Sequence, residues 1–156
     1  MLYFYFCHYM AYTYKYPRAM VTVDALIVKK EKGLHKVLLI KRKNQPFQGK
    51  WALPGGFIEM NESLCDSARR ELEEETGLKN IEIRQLRAFG NPGRDPRGRN
   101  ISVVYYGFAN KDAKAKAADD AKDSCWADLN NLPELGFDHK KIINFFMDTI
   151  DYKKIN

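Results

Sequence analysis

Apolar residues along this chain fall into short blocks separated by polar breaks that carry glycine or proline. Residues 12–16 alternate as Tyr12-Thr13-Tyr14-Lys15-Tyr16, the period-two pattern of a strand with one aromatic face, and Pro17 ends it. Residues 21–28 form a nearly unbroken β-branched and apolar run, which predicts a central strand. Residues 30–33 predict a charged turn, and 37–40 a second buried strand. Residues 44–50 are polar and contain Pro46 and Gly49, so they predict a loop. Trp51-Ala52-Leu53 is short and extended, and Pro54-Gly55-Gly56 breaks it. A helix is expected next, with Asn61 or Ser63 as its N-cap and Gly77 as a left-handed C-terminal cap. Strands are predicted at 81–89, 101–109 and 124–129. Residues 90–100 between the first two are a loop dense in Gly, Pro and Arg. Residues 111–122 are only Ala, Lys and Asp, which favours an exposed loop. Residues 139–152 place Ile142, Ile143, Phe146 and Ile150 at helical spacing, an amphipathic helix that packs on a sheet. Strands interleaved with two helices predict a layered α/β domain.

Length and charge narrow this picture. The 156 residues suit one compact domain. The net charge of +6 comes from scattered lysines, so solubility explains it as well as steering of anions does. Cys7, Cys65 and Cys125 are odd in number and far apart. That argues against a disulfide framework or a zinc site and for a reducing cytoplasm. No stretch is long and apolar enough to span a bilayer, so no membrane partner is expected. The aromatic segment 1–16 lacks the positive start and small-residue cleavage site of a signal peptide. It is set apart from a main domain over 17–156, as an edge strand or a dimer contact.

Chemistry concentrates between Gly56 and Leu78. At about 100° per residue, Glu71, Glu74 and Glu75 share an arc of roughly 100°, beside an apolar stripe of Leu64, Ala68 and Leu72. Like charges at this spacing repel, and a hard divalent cation offsets the repulsion. A solvated acidic helix face is the plainer explanation for the glutamates alone. Gly55 and Gly56 ahead of the helix permit close backbone approach to a ligand, and the helix N-terminus favours phosphate.

Gly56, Glu62 and the run Arg70-Glu71-Leu72-Glu73-Glu74-Glu75-Thr76-Gly77-Leu78 match every defined position of the signature box of the Nudix hydrolases, and the segment resembles that box. The resemblance implies an α/β/α sandwich with a mixed β-sheet and a metal-dependent hydrolase. It implies that Glu71, Glu74, Glu75 and the Gly56 carbonyl bind Mg2+ or Mn2+, and that Arg70 and Glu62 orient them. A late loop in such enzymes often adds a further ligand or base. Asp119, Asp120 and Asp123 offer one, with Asp120 the candidate, although an exposed acidic loop accounts for them as well.

The segments 50–56, 91–99, 102–104 and 137–139 resemble the compact ADP-ribose pyrophosphatases of that family. This implies a nucleoside diphosphate derivative as substrate, with ADP-ribose cleaved to AMP and ribose 5-phosphate. Arg94, Arg97 and Arg99 suit phosphate, and Asp95 suits a ribose hydroxyl, although Gly, Pro and Asp also build solvated turns. Arg42 at a strand end is a further phosphate candidate, and Phe47 a candidate for stacking on adenine. Trp51 reads better as core, and His139 as structural. The alternatives are an enzyme acting on oxidised nucleoside triphosphates and a non-catalytic sensor of ADP-ribose. Regulators that join such a sensor to a DNA-binding domain need more chain after the last helix, so no nucleic-acid partner is expected. Tyrosine density in residues 1–16 and the resemblance together imply a homodimer.

Overall fold

The computed structural model describes residues 13–115 and 121–154. Its centre is β1 (Met20–Glu31), buried on both faces from Val23 to Val28, as its continuous apolar run requires. β1 turns at Lys32 and Gly33, both at positive φ, into antiparallel β2 (Leu34–Arg42). β2 pairs antiparallel with the short β3 (Trp51–Ala52). After Pro54 the chain returns to β1 as β4 (Gly55–Phe57), with Gly56 opposite Val23. The run of β3 does break at Leu53 and Pro54, as expected, but Gly55 and Gly56 open a new strand. The glycines belong to a strand because they have a partner far away in sequence.

α1 (Leu64–Thr76) follows. Ser63 caps it by accepting the Asp66 N–H, and Gly77 ends it at φ 70 with its N–H donated to the Glu73 carbonyl. β5 (Ile83–Phe89) and β6 (Asn100–Phe108) are antiparallel, and β6 runs parallel to β1, from Met20 opposite Asn100 to Val28 opposite Phe108. β7 (Ala121–Asp128) covers β2. α2 (His139–Thr149) stops at Ile150, whose backbone is extended, and a 3-10 turn spans Tyr152–Lys154. The predicted last helix is therefore a little shorter than its apolar pattern.

Alternation along β1 splits the core in two. Val23, Ala25 and Ile27 face Ala68 and Leu72 of α1, whereas Leu26 and Val28 face Ile142, Ile143 and Phe146 of α2. The result is a mixed sheet between two helices, the layered α/β/α arrangement expected from the sequence. Thr13 to Tyr16 form no strand. Tyr14 and Tyr16 are exposed, and the Tyr14 ring lies 3.8 Å from the Arg18 guanidinium. Tyr12 and the rest of the aromatic segment lie outside the described residues, as do Asp119 and Asp120.

Candidate active site

The box forms one cluster around Arg70. Its guanidinium donates to both oxygens of Glu62 (3.0 and 2.7 Å), to Glu71 (2.8 Å), to Glu74 (3.0 Å) and to the Phe57 carbonyl (3.2 Å). The helical spacing makes the Glu74 contact possible, and the turn before α1 brings Glu62 back. Glu62 also accepts from the Ser67 hydroxyl and the Glu59 N–H. Bonds from Arg70 and Ser67 hold its carboxyl at about 2.

Glu71 and Glu75 lie deeper. Burial raises the Glu71 carboxyl above its ordinary value, against the pull of Arg70. Glu75 accepts the Gly55 N–H (2.9 Å), yet burial and the nearby charges of Glu71 and Asp24 push it up to about 8. A Cβ on Gly56 would stand 2.6 Å from the Glu71 carboxyl carbon, so any larger residue there would displace that carboxylate.

Among the described residues, no three acidic, histidine or cysteine side chains are gathered as a ready ion cage. Arg70 draws Glu71 and Glu74 to itself, and Gly55 draws Glu75. The donor set nevertheless fits a hard divalent cation: it offers carboxylate oxygens, one of them on a carboxyl whose charge burial and then nearby like charge oppose, beside the Gly56 backbone.

The raised Glu75 carboxyl gives a stability test. The folded, metal-free chain binds a proton that the unfolded chain releases, between about 4.5 and about 8. Stability therefore falls as pH rises through that window, by on the order of a few kcal/mol. Glu62 and Asp95, both held near 2, act in the opposite sense and only below it. We expect the metal-free melting temperature to drop between pH 5 and pH 8 more steeply in the wild type than in Glu75→Gln. Equal slopes for the two proteins would refute a shifted Glu75.

Next to Gly55 and Gly56 opens a cavity of about 70 Å³, lined by Thr22, Asp24, Arg42, Arg94, Arg97 and Phe137 among others. Loop 90–100 forms one wall. Asp95 is buried and accepts from the Arg97 backbone N–H (2.9 Å), the Arg97 guanidinium and Asn100 Nδ2 (2.9 Å). Burial opposes its charge, but the bonds from Arg97 and Asn100 outweigh it and hold the carboxyl at about 2. The Arg97 guanidinium lies 5.0 Å from the Phe57 ring centre and 5.5 Å from that of Phe137. Arg42 donates to the Pro46 carbonyl (2.7 Å) and faces Phe137 at 4.8 Å.

The substrate candidates thus separate. Arg42, Arg94, Asp95 and Arg97 meet at the cavity. Arg94 is almost fully buried in a two-pronged pair with Asp138 (3.1 and 2.7 Å). Arg99 turns to the Gly90 carbonyl and closes the loop on itself. Phe47 packs edge-on against Phe137 (4.8 Å) and over Gly136, outside the cavity lining. Trp51 packs against the core, as expected. Asp120 lies outside the described residues, and Asp123 sits in β7 opposite Lys41.

The cavity lining adds Thr22, Asp24, Phe57 and Asn100, which the sequence did not single out, and Phe137, which it marked only as part of the segment 137–139. Two signals were available: a lone Asp within the apolar run of 21–28, and aromatic residues beside the glycines at 55–56 and 136.

The NUDIX domain family matches residues 18–146. The chain is 47% identical over 132 residues to an ADP-ribose pyrophosphatase of Methanocaldococcus jannaschii, covering 85% of this chain and 75% of that one. It is 36% identical to an ADPR responsive transcriptional repressor, NtrR, of Acinetobacter baylyi over 82% of this chain, which spans about half of the repressor's length (53%). Among solved structures, the NUDIX domain of Shewanella oneidensis NrtR complexed with ADP ribose superposes with a TM-score of 0.80 at 34% identity, over 85% of this chain and 89% of that domain.

Proposed function

The chain belongs to the Nudix family, and on that basis we propose that it is an ADP-ribose pyrophosphatase that hydrolyses ADP-ribose to AMP and ribose 5-phosphate. The observation that carries this reading is the adjacency of two sites: the carboxylates of α1 over Gly56, and an arginine-lined cavity opening beside the same glycine.

Residues 17–156 act as one catalytic domain in this reading. Glu71, Glu74, Glu75 and the Gly56 carbonyl would hold Mg2+ or Mn2+, both of which take oxygen donors. When bound, the cation neutralises charge developing on the diphosphate and makes water a better nucleophile at neutral pH. Arg70 fixes the carboxylates in place, and Glu62 fixes Arg70. Arg97 and Arg42 stand at the cavity as phosphate partners with rigid guanidinium forks. Phe57 and Phe137 add flat apolar surface beside them.

The deciding measurement is kcat/KM for ADP-ribose beside 8-oxo-dGTP with magnesium present. ADP-ribose is expected to be the better substrate. A clear win for the triphosphate would transfer the reading to nucleotide-pool cleaning. Tight ADP-ribose binding without turnover, with a DNA gel shift, would transfer it to a sensor like the repressor relative.

We place the enzyme in the cytoplasm, where phosphorylated nucleotides and free thiols such as Cys65 and Cys125 coexist. No helix of the described residues is long and apolar enough to cross a membrane. We also propose a homodimer, supported by the tyrosine-rich residues 1–16 and by the exposure of Tyr14 and Tyr16. Light scattering on the full chain should give twice the mass of one chain, 18.1 kDa. A monomer at micromolar concentration would refute the dimer.

A further inference from the structure

Three elements converge on the turn that precedes the cation set. β1 donates the Ala25 N–H to the Pro54 carbonyl (2.8 Å). α2 presents His139, whose Nδ1 accepts the Leu53 N–H (2.8 Å). α1 supplies Glu75, which accepts the Gly55 N–H (2.9 Å). Leu53 to Gly56 is therefore suspended between the sheet and both helices, and its height sets where the Gly56 carbonyl and the Glu75 carboxylate stand.

Behind the turn lies a buried polar network that the proposed reaction does not use. Asp24 is 6% exposed in the middle of β1. It accepts from the Ser102 hydroxyl, and its other oxygen faces His139 Nε2 at 3.6 Å. Arg94 lies 4.0 Å from Asp24 and is tied to Asp138, the residue before His139. A Cβ on Gly55 would stand 2.8 Å from Asp24 Oδ1, so the carboxylate touches the underside of the turn. Because Nδ1 accepts from Leu53, the neutral ring carries its proton on Nε2, the nitrogen that faces Asp24 at 3.6 Å. A buried carboxylate, guanidinium and imidazole are costly to keep unless each is partnered, and here the carboxylate and the imidazole both bear on the same four-residue turn.

We propose that Asp24, Arg94 and His139 are positioning residues that hold the Leu53–Gly56 turn at the height at which Gly56 and Glu75 can share a divalent cation. This rests on the cation set proposed above. It gives Arg94 a role different from the phosphate contact expected from the sequence: its charge is spent inside the protein, linking loop 90–100 through α2 and the turn to Glu75. The network acts on the metal site from behind, as outer hydrogen-bond partners of ligating groups do elsewhere.

The test is Mn2+ binding by the full-length protein without substrate, followed by the electron paramagnetic resonance signal of free Mn2+. His139→Leu fills the space but offers Leu53 no acceptor. His139→Asn places an amide oxygen where Nδ1 stood. Circular dichroism and melting establish folding for each. We expect His139→Leu to weaken Mn2+ binding by about tenfold or more, the usual scale for such outer partners, and His139→Asn to stay within about threefold of the wild type. A folded His139→Leu with wild-type affinity overturns the proposal. If His139→Leu does not fold, Ser102→Ala decides: it removes only the hydroxyl that orients Asp24 and is expected to weaken Mn2+ binding by about threefold or more. Unchanged affinity in Ser102→Ala then overturns the proposal. Glu75→Gln is titrated alongside. Wild-type affinity in Glu75→Gln would fail the cation set itself, and this proposal with it. Weakened binding in Glu75→Gln with none in His139→Leu would fail the positioning network alone.

Discussion

Glu75→Gln is expected to lower kcat for ADP-ribose by about a thousandfold at saturating magnesium, equivalent to about 4 kcal/mol of transition-state stabilisation. Glutamine keeps the shape of Glu75 and can still accept the Gly55 N–H through its amide oxygen. What it loses is the negative charge that burial, Glu71 and Asp24 oppose in the metal-free chain. The same substitution should leave metal-free stability at pH 8 unchanged or higher, because it removes that repulsion. Loss of activity without loss of stability is the signature of a charge kept for a ligand rather than for the fold. Turnover within about tenfold of the wild type would remove Glu75 from the reaction.

The two glycines ahead of α1 should fail in different ways. In Gly55→Ala the new Cβ would stand 2.9 Å from the Asp24 Cα, in the backbone of the most buried strand, and 2.8 Å from its carboxylate. Backbone at the centre of a sheet cannot move aside cheaply. We expect a stability loss of about 3 kcal/mol, the upper range for overpacking, and a melting temperature lower by roughly 5–12 °C. In Gly56→Ala the nearest atoms belong to the Glu71 side chain, whose end can swing away. That variant should melt close to the wild type and yet lose most of its activity, since Glu71 would leave its place over residue 56. Calorimetry and turnover on the pair separate the cases. A Gly55→Ala protein as stable as the wild type would show that β4 can lift off β1 at little cost.

Much of the architecture could be read locally. Ser63 and Gly77 announce the ends of α1, and the largely apolar run of 21–28 marks a strand covered on both sides. The carboxylate arc needs only helical periodicity. What could not be read depends on distant partners. Pro54-Gly55-Gly56 has the composition of a break, and only pairing with Val23 and Asp24 makes its two glycines part of a strand. Tyr12 to Tyr16 has the alternation of a strand, but Thr13 to Tyr16 take no strand conformation, and the Arg18 guanidinium lies over the Tyr14 ring. Among the arginines of loop 90–100, sequence gives the same weight to Arg94, Arg97 and Arg99. The fold buries the first against Asp138, lines the cavity with the second, and turns the third back on Gly90. Asp138 is distant from Arg94 in sequence, and no local pattern links them.

Loop 90–100 is held from within by Asp95, at one end by Arg99 on Gly90, and from α2 by Asp138. Its shape is therefore set before any nucleotide arrives. A segment of such glycine and proline content would otherwise surrender considerable chain entropy on closing around a ligand. Here that cost is met during folding, so in the proposed role association would proceed as docking onto a finished surface, and differences in affinity among related nucleotides would fall mainly on how fast each one leaves.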